Sequence, residues 1–392
     1  MKAFNGYSVN PDPMVAGLEA AKMAGNAEDA KLVFAYTSCD YDVSKVIKGI
    51  SQYYDCPIIG NTSFTGVVVP EGFITGDKGF VAIMTLAGSD IKAGVACIKK
   101  SKEKQSAVAL GEQVAKKALK DADCTCAPQV MYMVGSPTEE EHYLKGITNV
   151  VGRVPLFGGS AADNSISGKW CLYANNTIVS EGVAVAFIYT DVKFANVFTG
   201  AYKETEDRGI ITKVEGNRKL VEIDGKPALK VYAKWRGMTP KQLMGGSLLS
   251  ETITSPLGVK DRLGDLVAIR HPMNGNEDFS MNIGNQLAVG TCVIRMEASV
   301  TELIKSVEQT MKEVTEKLGK KPSCYHLVHC GGRRAGIDKR INEVVKAVKK
   351  VAGHTPFIME FTFDVLKWES RREGLHRACV SYRRRALIPL CP

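Results

Sequence analysis

The sequence predicts a mixed α/β (α+β) protein, with mixed sheets flanked by helices. Three observations carry this. Apolar runs of strand length alternate with runs of helical period. The order strand–helix–strand recurs along the chain. Several neighbouring strands have no helix between them, so antiparallel pairs must accompany the parallel crossovers. The 392 residues are 45% hydrophobic and 24% charged, which suits two or three domains or one repeat-built unit.

The repeat organises the reading. The first copy opens with "KLVFAYTS" (31–38), a strand rich in Val, Phe and Tyr. The segment "YDVSKVIKGISQYY" follows, with Val43, Val46, Ile47 and Ile50 on one helical face. "PIIGNTSFTG" (57–66) is a short strand breaking into a polar turn. "GFVAIMTL" (79–86) and "IKAGVACI" (91–98) read as strands, and "SAVALGEQVAKKALK" (106–120) closes the unit as a helix.

The second copy keeps the order. "QVMYMVGS" (129–136) is a strand, and "TEEEHYLKGITNVV" (138–151) a helix with Thr138 and Glu141 as a capping box. The tripeptide "KGI" stands in both helices, at 48–50 and 145–147. "PLFGGSAADN" (155–164) repeats the shape of "PIIGNTSFTG" 98 residues later, and "GVAVAFIYT" (182–190) is the next strand. The segment 211–235 reads as an insertion: a hairpin turning at Glu215–Asn217, a turn at Asp224–Gly225, and a helix with Pro227 at its first position.

A degraded third copy lies near the C-terminus. Residues 299–319 form a helix with Leu303, Val307, Met311 and Val314 on one stripe, ended by Gly319. "SCYHLVHCGG" (323–332) is a strand ending in paired glycines, 338–353 a helix, and "PFIMEFTF" (356–363) a strand.

Charge and cysteine usage narrow the function classes. A net charge of +9 implies weak attraction to polyanions only. The N-terminus lacks the apolar run of a secretory signal, and no stretch approaches a membrane span, so the expected location is cytoplasmic and away from membranes. Eleven cysteines then read as reduced thiols. Cys124 and Cys126 have no matching Cys/His pair at zinc spacing, so neither a metal nor a cofactor is expected. No aromatic or groove-reading motif supports specific nucleic-acid binding.

The segments "VPLFGGSAADN", "GVAVAFIYTDV", "VEGNRKLVEIDGKPALKVYAKW", "GDLVAIRHPMNG", "LAVGTCVIRMEAS" and "CYHLVHCGGRRAG" resemble, in order, the landmarks of FIST proteins. The resemblance runs from about residue 30 to 363. It implies a FIST N-terminal domain over 1–220 and a FIST C-terminal domain over 221–363. It also implies a sensory module of signal transduction that binds small ligands such as amino acids. Residues 364–392 depart from the family, which continues with a Gly-Glu pair and a further strand. The segment carries seven Lys/Arg against three acids and has no clear period, so it reads as a divergent or frame-shifted basic tail without regular structure.

Candidate ligand-binding residues follow. In Gly158, Gly159, Ser160, Asp163 and Asn164, glycines let N–H groups converge on an anion while Asp163 and Asn164 take an ammonium or hydroxyl. The alternative is a tight turn with local Asx bonds. Asn61 and Ser63 stand in the matching upstream turn, expected to face it across a pseudo-symmetric centre. Arg333 and Arg334, after the glycines, suit bidentate carboxylate binding or are solvated charges. Glu360, an acid inside an apolar strand, meets a ligand amine or lies on a solvated face. Cys330, with His326 and His329 nearby, is a pocket-lining thiol or the nucleophile of a thiol-dependent hydrolase or transferase. Arg270 and His271 read as surface groups or pocket charges, and Trp170, Tyr173 and Trp235 as core or pocket walls.

The residues favour a non-enzymatic sensor over an enzyme. A small polar, zwitterionic ligand would lie in a cleft between the two FIST domains, gripped by the Gly158–Asn164 turn and the Arg333 region. Output would pass to a downstream signalling protein or a homo-oligomer.

Overall fold

A computed structural model describes residues 1–101, 105–260, 267–363 and 365–368. Two compact units emerge. The first takes Met1–Phe198, Met311–Gly331 and the chain from Lys349; the second takes Thr199–Thr310 and Gly332–Val348.

The first unit opens with β1 (Lys2–Ser8), α1 (Pro13–Ala24), β2 (Ala30–Thr37), α2 (Val43–Ser51) and β3 (Ile58–Thr62). The hairpin β4 (Val67–Val69) and β5 (Gly72–Ile74) follows, then β6 (Val81–Ala87) and β7 (Ile91–Lys99). The sequence repeats this plan as α3 (Ala107–Asp121), β8 (Val130–Gly135), α4 (Glu140–Val151), β9 (Leu156–Ser160), β10 (Leu172–Ala174), β11 (Thr177–Val179) and β12 (Gly182–Thr190). Asp12 caps α1 by accepting from Met14 N and Val15 N, and Asp42 caps α2 through Ser44 N, as short acceptors before a helix should. Glu139, not Thr138, holds the cap position of α4 and makes no side-chain cap bond, and Thr138 sits at φ 91°.

The chain then builds the second unit from β13 (Lys203–Glu215), β14 (Lys219–Ile223), β15 (Lys226–Pro227), α5 (Ala228–Arg236), α6 (Ser247–Thr252), β16 (Leu257–Lys260), β17 (Val267–Arg270), β18 (Pro272–Gly275), β19 (Met281–Ile283) and β20 (Cys292–Glu297). These strands form one antiparallel sheet in the order β17-β16-β20-β13-β14-β19-β18, with β15 on β14. Gly216 (φ 59°) turns the predicted hairpin, and Asp224 and Gly225, both at positive φ, turn the next. Pro227 occupies the cap of α5 rather than its first position. Leu220, Leu229, Tyr232 and Met281 centre the unit's core.

Helix α7 (Val300–Leu318) leads to β21 (Tyr325–Cys330), α8 (Gly331–Ile337), α9 (Ile341–Ala352), β22 (Phe357–Thr362) and β23 (Val365–Trp368). Two expectations are corrected here. Gly331 and Gly332 do not end the strand as a turn but open helix α8. The basic tail is not wholly without regular structure, because Val365–Trp368 pairs antiparallel with β9. Its remaining residues lie outside the described ones.

Three parallel pairs in the first unit, β2–β3, β8–β9 and β21–β22, are the three copies. Their equivalence is exact at the backbone. Val33 N, Met131 N and Tyr325 N each donate to the oxygen of the proline opening the second strand, Pro57, Pro155 and Pro356, at 2.9 Å. Beyond the second strands the copies join in a ring: Phe64 N to Phe361 O (2.9 Å), Ala162 N to Thr62 O (3.0 Å) and Phe363 N to Ser160 O (3.3 Å). The strand after each copy extends a different copy's sheet. β10 pairs with β3, β23 with β9, and β4 with β22, all antiparallel.

The "KGI" tripeptides mark helix crossings. A Cβ on Gly49 would lie 2.1 Å from Met14 O, and one on Gly146 would lie 1.9 Å from Val108 O. Only glycine admits a backbone approach this close. Gly49→Ala and Gly146→Ala should each cost more than about 2 kcal/mol, read as a lowered denaturation midpoint. Gly246→Ala, with nothing within 4 Å of its Cβ position, should stay within about 0.5 kcal/mol.

Candidate functional site

The repeat alignment places Phe34, Tyr132 and His326 at one position of the three first strands. Their rings meet. Phe34 lies 5.3 Å from Tyr132 and 4.7 Å from His326, and Tyr132 lies 5.6 Å from His326. Phe157 adds a fourth ring, 4.9 Å from His326. On the second strands, Asn61, Gly159 and Glu360 share one position, so each copy brings a different side chain to the centre.

These residues form a buried polar cluster. Glu360, Asn61, Tyr132 and Tyr36 have no exposed surface. The Tyr132 hydroxyl lies 2.8 Å from Asn61 Oδ1 and 3.0 Å from Glu360 Oε1; its single proton serves one of them at a time. His326 Nε2 lies 2.7 Å from the Tyr36 hydroxyl and 3.6 Å from Glu360 Oε1. Burial, then the Glu360 carboxylate, holds the Tyr36 and Tyr132 phenols well above their ordinary value. The imidazole tautomer decides whether Tyr36 or Nε2 donates in their hydrogen bond, and the other ring nitrogen is Nδ1. That Nδ1 is buried with no hydrogen-bond partner among the described residues. The His326 side chain is 9% exposed, whereas that of Glu360 is fully buried.

Glu360 thus has no solvated sheet face, the plainer of its two expected settings. The paired turns do meet: Asn164 Oδ1 accepts from Thr65 N at 2.9 Å, and Asn164 Nδ2 donates to Asp40 at 3.0 Å. Ser160 and Asp163 are fully buried. The Ser160 hydroxyl donates to Glu140 at 2.5 Å, and Ser63 donates to Gly66 O while accepting from Phe361 N. A Cβ on Gly158 would lie 1.9 Å from Met133 O, so this glycine serves strand approach. Gly159 pairs with Val134 of β8 and Val365 of β23. Asp163 accepts from Ser165 N, Ser167 N and Lys169 N. Burial raises its pKa, but these backbone donors outweigh burial and hold the carboxyl below its usual range.

Arg333 and Arg334 belong to α8 in the second unit. Arg333 donates to Leu303 O and Ser306 Oγ of α7, and Arg334 to Asp338 O at 3.0 Å. Arg270 donates to Gln286 O and Ile269 O, while burial pushes the His271 imidazole down to about 4. Tyr173 donates to Ala35 O and Trp170 to Ser180 O, and Trp235 packs on the second unit's core. Cys330 is half-buried at the end of β21. His326 stands four residues away, about 13 Å along the strand, and is committed to Tyr36. His329 points to the opposite strand face, its ring 5.4 Å from that of Phe361. Tyr36 and Tyr132 escaped the sequence reading, although aligning the three first strands would have found Tyr132 beside His326.

A mixed α/β fold with three interlocked copies around a buried acid–imidazole–phenol cluster defines the class: a repeat-built α/β protein with a polar centre. The chain belongs to the FIST family. It matches the FIST N domain over residues 31–226 and the FIST C domain over 228–363. Tyr36, Asn61 and Tyr132 fall in the first match, and His326 and Glu360 in the second. No curated protein sequence matches the chain. Among solved structures, a cyanuric acid hydrolase from A. caulinodans aligns over 92% of this chain and 94% of that chain, at a TM-score of 0.31 and 10% identity.

Tyr132→Phe should destabilise the fold by about 1–3 kcal/mol, measured by chemical denaturation, because Asn61 and Glu360 lose a buried donor. Asp163 supplies stability above the ordinary Asp pKa of about 3.9, and this is lost as pH falls through its lower folded value. The stability gap between the native chain and Asp163→Asn should therefore be full at neutral pH and shrink below about pH 4.

Proposed function

We propose that this protein is a sensory, small-ligand-binding protein of intracellular signal transduction, and that its ligand is an amino acid or another small carboxylate. FIST domains are associated with sensory signal transduction and small-ligand binding, which supports the class. One observation carries the ligand chemistry: the buried, unpartnered Nδ1 of His326 stands on a ring whose other nitrogen is 3.6 Å from the Glu360 carboxylate. A buried ring nitrogen without a partner costs about 1–3 kcal/mol, and with its proton on Nδ1 the ring offers a donor that a ligand carboxylate would satisfy. Glu360 is the matching partner for an ammonium. A zwitterion satisfies both.

In this reading 1–220 and 221–363 act as the FIST N and FIST C domains, and the ligand joins residues of both. The output passes to a downstream signalling protein or a second copy of the chain. The thiol of Cys330 takes no part in chemistry.

A thermal-shift screen of amino acids and small carboxylates tests the proposal. A true ligand at a hundredfold its Kd should stabilise the native chain by about 2.7 kcal/mol. Cys330→Ala should keep that shift, and His326→Ala and Glu360→Gln should lose it. A shift that survives in both of the latter places the ligand elsewhere, and no shift with any compound ends the proposal.

A further inference from the structure

A file of aromatic rings runs from the His326 imidazole to the surface. Phe157, in β9, lies 4.9 Å from the imidazole. Phe194 lies 6.4 Å beyond Phe157, its plane tilted by 32°. Exposure rises along the file: the His326 side chain is 9% exposed, Phe157 is half-buried and Phe194 is 41% exposed. Phe194 belongs to residues 191–198, part of the stretch without helix or strand between Thr190 of β12 and Lys203 of β13. Asn196 ties that stretch down on two sides. Its Nδ2 donates to Leu156 O of β9 at 2.7 Å, and its main-chain oxygen accepts from Lys317 Nζ of α7 at 3.0 Å. Leu156 adjoins Phe157, so the tie sits next to the ring on which Phe194 rests.

We propose that residues 191–198 are a strap that gates the His326 site, with Phe194 as its plug and Asn196 as its latch. The gate rests on His326 as the ligand-facing group: a small carboxylate reaches Nδ1 past Phe157 once Phe194 has lifted. The physical case is one of unequal strengths. Opening the strap breaks a ring contact and the Asn196 bonds, while the strand ladders around the polar cluster stay whole. Segments that open in this way, below the cost of global unfolding, are the ones from which lids are drawn. A ring already 41% exposed also forfeits less burial on leaving its seat than a core ring would.

Carbethoxylation of the full chain by diethyl pyrocarbonate, read at each histidine by peptide mass mapping, tests this without any ligand. In the native chain His326 should react at least about tenfold more slowly than the exposed His354, because only the open strap admits the reagent. Asn196→Ala removes the donor to Leu156 and should speed His326 about tenfold, the weight of one hydrogen bond in the opening equilibrium. Phe194→Ala should speed it similarly and stands in if Asn196→Ala fails to fold. Phe194→Tyr keeps the ring and should leave His326 slow. His329, buried on the opposite face of β21, should hold its native rate throughout. A native His326 as reactive as His354 overturns the gate. So do unchanged rates in both alanine variants, or an equal acceleration of His329. Each of these results leaves the ligand itself to the thermal-shift screen.

Discussion

The first unit depends on a closed circle of three backbone hydrogen bonds, from Phe64 to Phe361, Ala162 to Thr62 and Phe363 to Ser160. Each bond runs from one copy to another, so no two copies complete the circle. Backbone groups buried at the end of a strand must find partners, and here each finds one on a different copy. The exchanged strands β4, β10 and β23 repeat the logic one layer out. Within the first and second copies, the carbonyls of Ala35 and Met133 occupy the space a Cβ on Gly60 or Gly158 would need.

The circle also brings Asn61 and Glu360 to a common centre with Tyr132. Three equivalent apolar side chains would pack there without polar cost. Instead one copy supplies an amide, one a glycine and one a carboxylate, and the hydroxyl of Tyr132 links the first to the last. A carboxylate buried this completely is tolerated only with hydrogen-bond partners. The imidazole of His326, set among Phe34, Tyr36, Tyr132 and Phe157, reaches the same carboxylate from its more accessible side.

The repeat, the helices and most strands were legible because apolar period and turn chemistry are local signals. The "KGI" tripeptides were visible as a repeat, but their meaning was not, because the carbonyls that exclude a Cβ belong to helices distant in sequence. The glycine-rich turn was ambiguous for a similar reason. A run of small residues looks the same whether a ligand or a neighbouring strand fills the space, and here Met133 O fills it at Gly158. Glu360 was noticed as an acid in an apolar strand, yet its partner Tyr132 lies 228 residues away. Gly331 and Gly332 were read as ending a strand, whereas they begin the helix that carries Arg333.

Strand exchange has a kinetic side. β4 ends at Val69, but its partner β22 begins at Phe357, and their contact joins Val68 to Met359. A ribosome adding roughly 5–20 residues per second needs about 15–60 s to span that interval. Through all of it the β4–β5 hairpin, with its run of three valines, has no sheet to join. The nascent chain must therefore be shielded, or kept dilute, until its last tenth emerges, and truncated products should be stickier than the length they lack would suggest.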